Sequence, residues 1–176
     1  MLMLDVGCGS SQHKGCLGVD VRRLKGVDVI ADASILPFKD DCFEKIFLRH
    51  LVEHIYDIVA FMKEIWRVSN DGAMIYILTP HFTAYHSYTD PTHVHHFTME
   101  SFDYFDSTTE KGREFRFSND FDFRIKNKKI MFTKRIFWNY LVEKLANRYS
   151  LIYERIFGWV FSADNLYFEL EVIKPV

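Results

Sequence analysis

A chain of 176 residues, 48% apolar and 26% charged, fits one domain of ordinary size that can build a real core. No apolar run approaches the roughly 18 residues that span a bilayer, and the opening "MLMLDVGCG" is too short for a signal peptide and has no basic flank, so a cytoplasmic location is expected. Cys8, Cys16 and Cys42, an odd and sparse set, do not describe a disulfide framework, and the lack of a CxxC pair argues against a thiolate zinc site; buried, reduced thiols are expected.

The first elements are short apolar runs bounded by turn residues, the pattern of buried parallel strands. They are "LMLDV" (2–6), "CLGVDV" (16–21), "VDVIA" (27–31), "FEKIFL" (43–48) and "AMIYIL" (73–78). Between the last two, "DIVAFMKEIWRVS" (57–69) has apolar residues at 58, 61, 62, 65 and 68, the spacing of an amphipathic helix. Asp57 can cap it, and "NDG" (70–72) predicts a turn at its end. Further on, "EFRFSNDFDFRI" (114–125) alternates like an antiparallel strand or hairpin, 133–149 suits a helix, and "NLYFELEVIK" (165–174) predicts a last strand. The expected fold is α/β: a Rossmann-like, doubly wound, mostly parallel mixed sheet with an antiparallel C-terminal edge strand. One domain, 1–176, is enough, with a cofactor-binding half at 1–80. Residues 81–176 would then carry a substrate loop, a basic hairpin and the last helix and strand.

A glycine loop after a first strand brings backbone close to a ligand. Dinucleotides want G-x-G-x-x-G. Here Gly7 and Gly9 are followed by no third glycine, and too few residues precede Gly18 for a full helix, which disfavours a nicotinamide oxidoreductase. S-adenosylmethionine carries no phosphate. It needs a close loop, an acid for the ribose hydroxyls and a polar contact for adenine. Asp20 and Asp32 stand in order at the ends of the second and third strands, where open α/β sheets bind ligands.

The motifs "LDVGCG", "GVD", "ADASILPFKDDCFEKIF", "LVEHI" and "MKEIWRVSNDGAMIYILTP" resemble, in that order, those of class I S-adenosylmethionine-dependent methyltransferases, nearest the type 11 group. The resemblance runs over about residues 2–80. The later "DPTHVHHFTMESFDYF" (90–105) is similar to a small branch with a D-P-T-H loop. The resemblance implies S-adenosylmethionine as cofactor and S-adenosylhomocysteine as product. It implies that Asp5, Gly7, Cys8 and Gly9 line the methionine end, Asp20 and Val21 meet the ribose, and Asp32 and Ala33 meet the adenine. Arg49 and His50 would lie near the sulfonium. The reduced first helix, and a start at the first strand, depart from the family pattern. A neighbouring subunit, hence a homodimer, or the 81–96 loop is expected to supply the lid.

Five histidines, His81, His86, His93, His95 and His96, fall in 80–97, after the fifth strand and so over the same sheet edge. Three readings stand side by side. A histidine acts as general base or binds substrate. Several, with Asp90, bind a metal. Or they are satisfied polar residues around an Asp90 turn. His93 and Asp90 are the candidate catalytic residues. His54, His81, Tyr85, His86 and His96 are candidate substrate contacts, and no metal ligand is assigned.

Net charge is −2 overall, yet residues 1–110 carry 9 basic and 16 acidic groups while 111–135 carry 9 and 3. That asymmetry admits an anionic partner, with a solvated basic hairpin as the plain alternative. Phe115, Phe117, Phe121, Phe123 and Phe132 alternate among these charges and are read as the buried face of strands, although a membrane surface or lipid-linked sugar also suits such a mixture. Nucleic acid is not expected. The functional expectation is a methyltransferase acting on an oxygen or nitrogen of a small or lipid-linked (glycolipid) acceptor. The alternative is a non-catalytic partner subunit that keeps the fold and binds the cofactor.

Overall fold

The five apolar runs of the first half are five parallel strands in the computed structural model, which describes residues 2–114, 120–134 and 136–174. They are β1 (Met3–Val6), β2 (Leu17–Asp20), β3 (Val29–Ile30), β4 (Phe43–Arg49) and β5 (Ser69–Pro80). A 3-10 turn (Val52–His54) and helix α1 (Ile58–Val68) connect the last two. Short helices α2 (His86–Thr89) and α3 (Glu110–Glu114) follow, then β6 (Asp122–Met131), α4 (Asn139–Arg148), helical turns over 150–157, and β7 (Asn165–Ile173). The strands form one sheet in the order β3-β2-β1-β4-β5-β7-β6. The order reverses between β1 and β4, and the crevice at the carboxyl ends of those strands is where such sheets take ligands.

Only β7 runs against the rest. It pairs antiparallel with both β5 and β6, so β6 points the same way as β1–β5. The antiparallel C-terminal strand is therefore present but set one place in from the edge, with β6 covering it. Leu166, Phe168, Leu170 and Val172 of β7 are buried, and pairing on both edges satisfies the backbone groups of that strand.

α1 forms where the apolar spacing places it. Asp57 accepts a hydrogen bond from Ala60 N at 2.9 Å, and Phe61, Met62, Ile65 and Val68 enter the core shared by Ile46, Leu48, Ile75 and Ile77. The expected turn at 70–72 is not a separate turn. The chain passes from α1 straight into β5, and Asn70, Asp71 and Gly72 form an irregular stretch of that strand, where the register with β4 shifts and Gly72 takes φ +72°.

Two further expectations are trimmed. The helix proposed over 133–149 covers only Asn139–Arg148, because Asn139 turns its side chain back to the Thr133 carbonyl (3.0 Å) and closes a loop ahead of it. The alternating stretch 114–125 joins the sheet only from Asp122; residues 115–119, with Phe115 and Phe117, lie outside the described residues. Phe121, Phe123 and Phe132 are buried, as alternation predicts.

The winding is less complete than a doubly wound sheet implies. Of the connections joining β1 through β5, only that from β4 to β5 holds an α-helix. Residues 7–16 and 21–28 are too short for helix and return. One sheet face is left open in consequence. Phe47 stacks on Tyr76 at 4.9 Å and His13 leans on Phe47 at 4.3 Å; with Arg49, Lys129 and Tyr167 they line a groove of about 520 Å³.

Among the described residues of the basic segment, most cations pair within the chain. Lys111 pairs with Glu100, Arg124 with Asp106, Lys126 with Glu171, Lys128 with Asp103, and Lys129 and Lys134 with Glu143. No helix among the described residues is long and apolar enough to cross a membrane.

Candidate functional site

The loop after β1 folds back on β2. Gly7 N and Cys8 N both donate to the Val19 carbonyl, at 2.8 and 3.1 Å. Gly7 takes φ +67°, and a Cβ there would stand 2.8 Å from Leu51 Cδ1. Glycine is required twice over, by the left-handed backbone and by the approach of the chain after β4. Gly18 is required differently, since its Cβ would meet the Gly26 carbonyl oxygen at 2.7 Å. Strand β2 and the 21–28 connection are packed backbone to backbone at that point.

A cleft of about 660 Å³ opens at the carboxyl ends of β1, β2 and β3, at the reversal of strand order. Gly7, Asp20, Val21, Asp32 and Ala33 line it on one side and His50, His54 and Asp90 on the other. These are eight of the residues singled out from sequence. Leu51, Ile55 and Thr92 also line it and were not singled out. Leu51 and Ile55 flank the "EH" of "LVEHI" and read as ordinary core residues. Thr92 sits within D-P-T-H, where histidine and aspartate draw attention first.

Asp20 is almost fully buried. Its Oδ2 accepts from Gly9 N at 2.9 Å and its Oδ1 from Arg22 N at 2.9 Å, with Arg22 Nε at 3.3 Å. Burial pushes its pKa up, but the hydrogen bonds from Arg22 N and Gly9 N outweigh that, and the net shift is downward. The group is an ionised acceptor at the rim, as two ribose hydroxyls need. Asp32 is exposed and takes a tight local turn, accepting from Ser34 N at 2.8 Å. The cleft thus has the size of a nucleoside site, a close-approaching backbone, one fixed carboxylate, a second acid beyond β3 and apolar sides; these fit S-adenosylmethionine.

Other candidates lie elsewhere. Asp5 is wholly buried beneath the loop. Its Oδ2 accepts from His13 N (2.6 Å) and Arg49 Nη2 (2.8 Å), and Arg49 also donates to the Ser11 carbonyl. Arg49 lines the groove on the open sheet face, not the cleft. Asp5 Oδ1 and Arg49 Nε are buried and without a partner among the described residues, so the loop floor keeps an acceptor and a donor unspent. Cys8 is buried, with its sulfur 4.0 Å from the Gly26 carbonyl oxygen, and burial pushes its pKa up. Gly9 reaches the cleft only through its bond to Asp20.

The histidines separate into two groups. His81 is fully buried: Nδ1 meets Thr83 Oγ1 at 2.7 Å and Nε2 meets Glu154 Oε1 at 3.2 Å, which ties the end of β5 to the helical turns over 150–157. His96 bonds Ser87 Oγ at 2.8 Å and stacks on Tyr88, and His95 faces the Tyr56 carbonyl at 3.3 Å. His86 reaches Asn165 Oδ1 at 3.4 Å, and Tyr85 is exposed. By contrast, His54 lines the cleft, and His93, which does not, meets it edge to face at 4.6 Å. The loop is moored there because Val94 N (2.9 Å) and His95 N (3.3 Å) both donate to the Glu53 carbonyl. Asp90 makes the turn that its spacing suggests, accepting from Thr92 N at 2.9 Å and Thr92 Oγ1 at 2.6 Å; these bonds hold its pKa down.

Residues 19–77 match the family model of a methyltransferase domain, of the type 11 group. The ajmaline N-methyltransferase of Rauvolfia serpentina is 29% identical over 104 residues, an alignment covering 44% of this chain and 35% of that protein. The chain thus spans about a third of the length of that curated relative. A SAM-dependent methyltransferase structure from Archaeoglobus fulgidus superposes with a TM-score of 0.57 at 17% identity, covering 96% of this chain and 85% of the other. A chain from the Haloferax volcanii complex of the Trm112 methyltransferase activator with a methyltransferase superposes with a TM-score of 0.61 at 13% identity, covering 99% and 83%. At these identities the superpositions show the fold, which is the one expected from sequence.

Proposed function

We propose that this chain, a class I methyltransferase by fold and by the type 11 domain match it carries, binds S-adenosylmethionine in the cleft and transfers its methyl group to an oxygen or nitrogen of a small acceptor, with a lipid-linked acceptor favoured. The observation that carries the cofactor reading is the buried, hydrogen-bonded Asp20 carboxylate facing a glycine loop at the reversal of strand order. When bound, the cofactor supplies an electrophilic methyl. The protein's own part is to fix the cofactor against the acceptor and exclude water, and alignment of that kind is worth up to roughly 7–11 kcal/mol. Asp20 and Asp32 anchor the nucleoside, the Gly7 backbone yields space, and His50, His54 and Asp90 face the acceptor side.

A lipid-linked acceptor is supported by the surface beside the histidine loop. Phe137, Trp138, Tyr149, Ile156, Trp159 and Val160 are all exposed. The 153–162 segment adjoins the loop through Phe82–Trp159 ring contact at 5.5 Å and a Ser162 Oγ bond to the Thr83 carbonyl at 2.6 Å. An apolar platform at the carboxyl end of β5 suits an acceptor that arrives on a hydrocarbon anchor.

Calorimetric titration with S-adenosylhomocysteine tests the cofactor reading. Wild type is expected to bind, and Asp20→Ala to bind about 10–100-fold more weakly, the loss of charged hydrogen bonds worth roughly 1.5–3 kcal/mol. Equal affinity in the two proteins would remove Asp20 from the site. Binding without any turnover on candidate acceptors would favour the second reading, a cofactor-binding partner subunit.

A further inference from the structure

We infer that Glu53, His54 and His93 form a binding site for a divalent first-row transition ion, of the zinc, cobalt, nickel or iron(II) class, on the acceptor side of the cleft. One ligand atom from each lies within 4.8 Å of the other two. Around a tetrahedral zinc with bonds of about 2.0–2.1 Å, ligand atoms stand roughly 3.3 Å apart, so small side-chain rotations close the set.

The hydrogen bonds around the triad leave the right atoms bare. Thr92 Oγ1 donates to Asp90 Oδ1 at 2.6 Å, so it must accept from His54, whose Nδ1 lies 2.9 Å away. His54 therefore carries a proton on Nδ1, and in the neutral ring the lone pair falls on Nε2. The Ser87 carbonyl can only accept, so His93 Nδ1, 3.0 Å from it, is protonated as well, and the neutral ring again offers Nε2. Imidazoles that ligate metal through one nitrogen are commonly fixed this way through the other. Asp90 and Thr92 become positioning residues acting through His54.

Glu53 supplies a second, independent observation. Its side chain is 1% exposed, and among the described residues no lysine or arginine pairs with it. Thr79 Oγ1 donates to one carboxylate oxygen at 3.0 Å, and the other lies 3.3 Å from His50 Nδ1. A buried carboxylate with so little counter-charge is costly, and a cation held between it and the two imidazoles resolves that cost. Two imidazoles and one carboxylate select transition ions over magnesium or calcium, which want oxygen. Three protein ligands also leave a coordination position open, as in catalytic rather than structural sites. Of the three, His54 lines the cleft, so the site adjoins it.

The test uses chelator-treated, tag-free protein without cofactor, so it does not depend on methyl transfer. Cobalt(II) is titrated first, read by its visible d–d absorption, and zinc then displaces it. The expected result is one ion per chain at micromolar affinity or tighter, with no displacement by millimolar magnesium. His54→Ala and His93→Ala should each weaken uptake at least 100-fold and abolish the rise in melting temperature that zinc gives wild type. The ion-free variants should melt near ion-free wild type, which separates ligation from folding. Glu53→Gln is the third ligand test and Asp90→Asn a positioning test, with a loss of roughly 10-fold. His95→Ala should bind as wild type does. Uptake only at millimolar ion, uptake indifferent to His54 and His93, or equal loss in His95→Ala would overturn the site and leave an imidazole pair packed on a turn. S-adenosylhomocysteine binding measured on the same samples separates that failure from failure of the cofactor reading.

Discussion

Glu64 and Arg67 show how single residues hold a ligand edge in place. Glu64 accepts from Leu36 N at 2.7 Å and from Arg67 Nη2 at 2.7 Å, while Arg67 donates to the Phe38 carbonyl at 2.9 Å and the Leu36 carbonyl at 3.1 Å. The pair clamps residues 36–38, just beyond Asp32 and Ala33, onto α1. The hydrogen bond from Arg67 is the main force lowering the Glu64 pKa, against burial, which raises it. A depressed folded pKa stabilises above the unfolded value near 4.5 and loses that stabilisation as pH falls through the folded value. Glu64→Gln should therefore melt lower than wild type at neutral pH, by an amount worth about 1–3 kcal/mol, and the gap should close in melts run below about pH 4. A gap unchanged by acid would mean that Glu64 acts through shape rather than charge. At this scale the sequence is legible where a residue's position speaks for it. Asp20 ends an apolar run, and so its role reads directly. Arg49 also ends an apolar run, and the register sets it on the same sheet face as Asp20, yet its long side chain reaches to Asp5 and the Ser11 carbonyl instead of the cleft. Alternation gives the face of a side chain, and only its partners decide which way along that face it turns.

Among the elements, α1 is the clearest case of sequence becoming structure. Apolar period, Asp57 cap and burial of Phe61, Met62, Ile65 and Val68 agree. Asp57→Ala should cost about 1 kcal/mol and lower the melting temperature by roughly 2–4 °C, with Asp57→Ser restoring most of it. Melting of the three proteins side by side checks this; no recovery in the serine variant would place the effect outside the cap. The elements that were misread share one cause. "NDG" carries turn chemistry, but β5 absorbs it as a bulged stretch because Ser69 already pairs with Phe43. The helix at 133–149 is shortened by a side-chain bond from Asn139 that no periodicity reports. The place of β7, between β5 and β6, follows from tertiary pairing over long separations and has no local signal. The histidine loop was legible as a cluster, but the division into buried His81, surface His95 and His96, and the His54–His93 pair depends on partners far along the chain.

For the whole molecule the uneven coverage of the sheet matters most. One face is packed by α1, the other is open at Phe47, Tyr76 and Tyr167, and a separate apolar surface runs from Ile136 to Phe161. The wild-type protein should cosediment with phospholipid vesicles and retain that binding at high salt, because Lys128, Lys129 and Lys134 are already paired within the chain. Replacing Phe137 and Trp159 by serine should release it. Loss of binding with added salt would assign the contact to charge. A dimer in sedimentation that the same double variant breaks, with no vesicle binding, would assign the surface to a second copy.

The inset position of β7 also sets an order of events during synthesis. β6 leaves the ribosome first and meets no sheet neighbour but β7, which ends 42 residues later at Ile173. At about 5–20 residues per second that is a wait of roughly 2–8 s, during which Phe123 and Ile130 have no strand to pair beside. Until β7 arrives every residue that lines the cleft is made, but β5 lacks one neighbour and β6 has none. A nascent chain halted between residues 131 and 165 would hold the cleft residues and an unpaired apolar strand together, a combination that invites capture by chaperones or by another nascent copy.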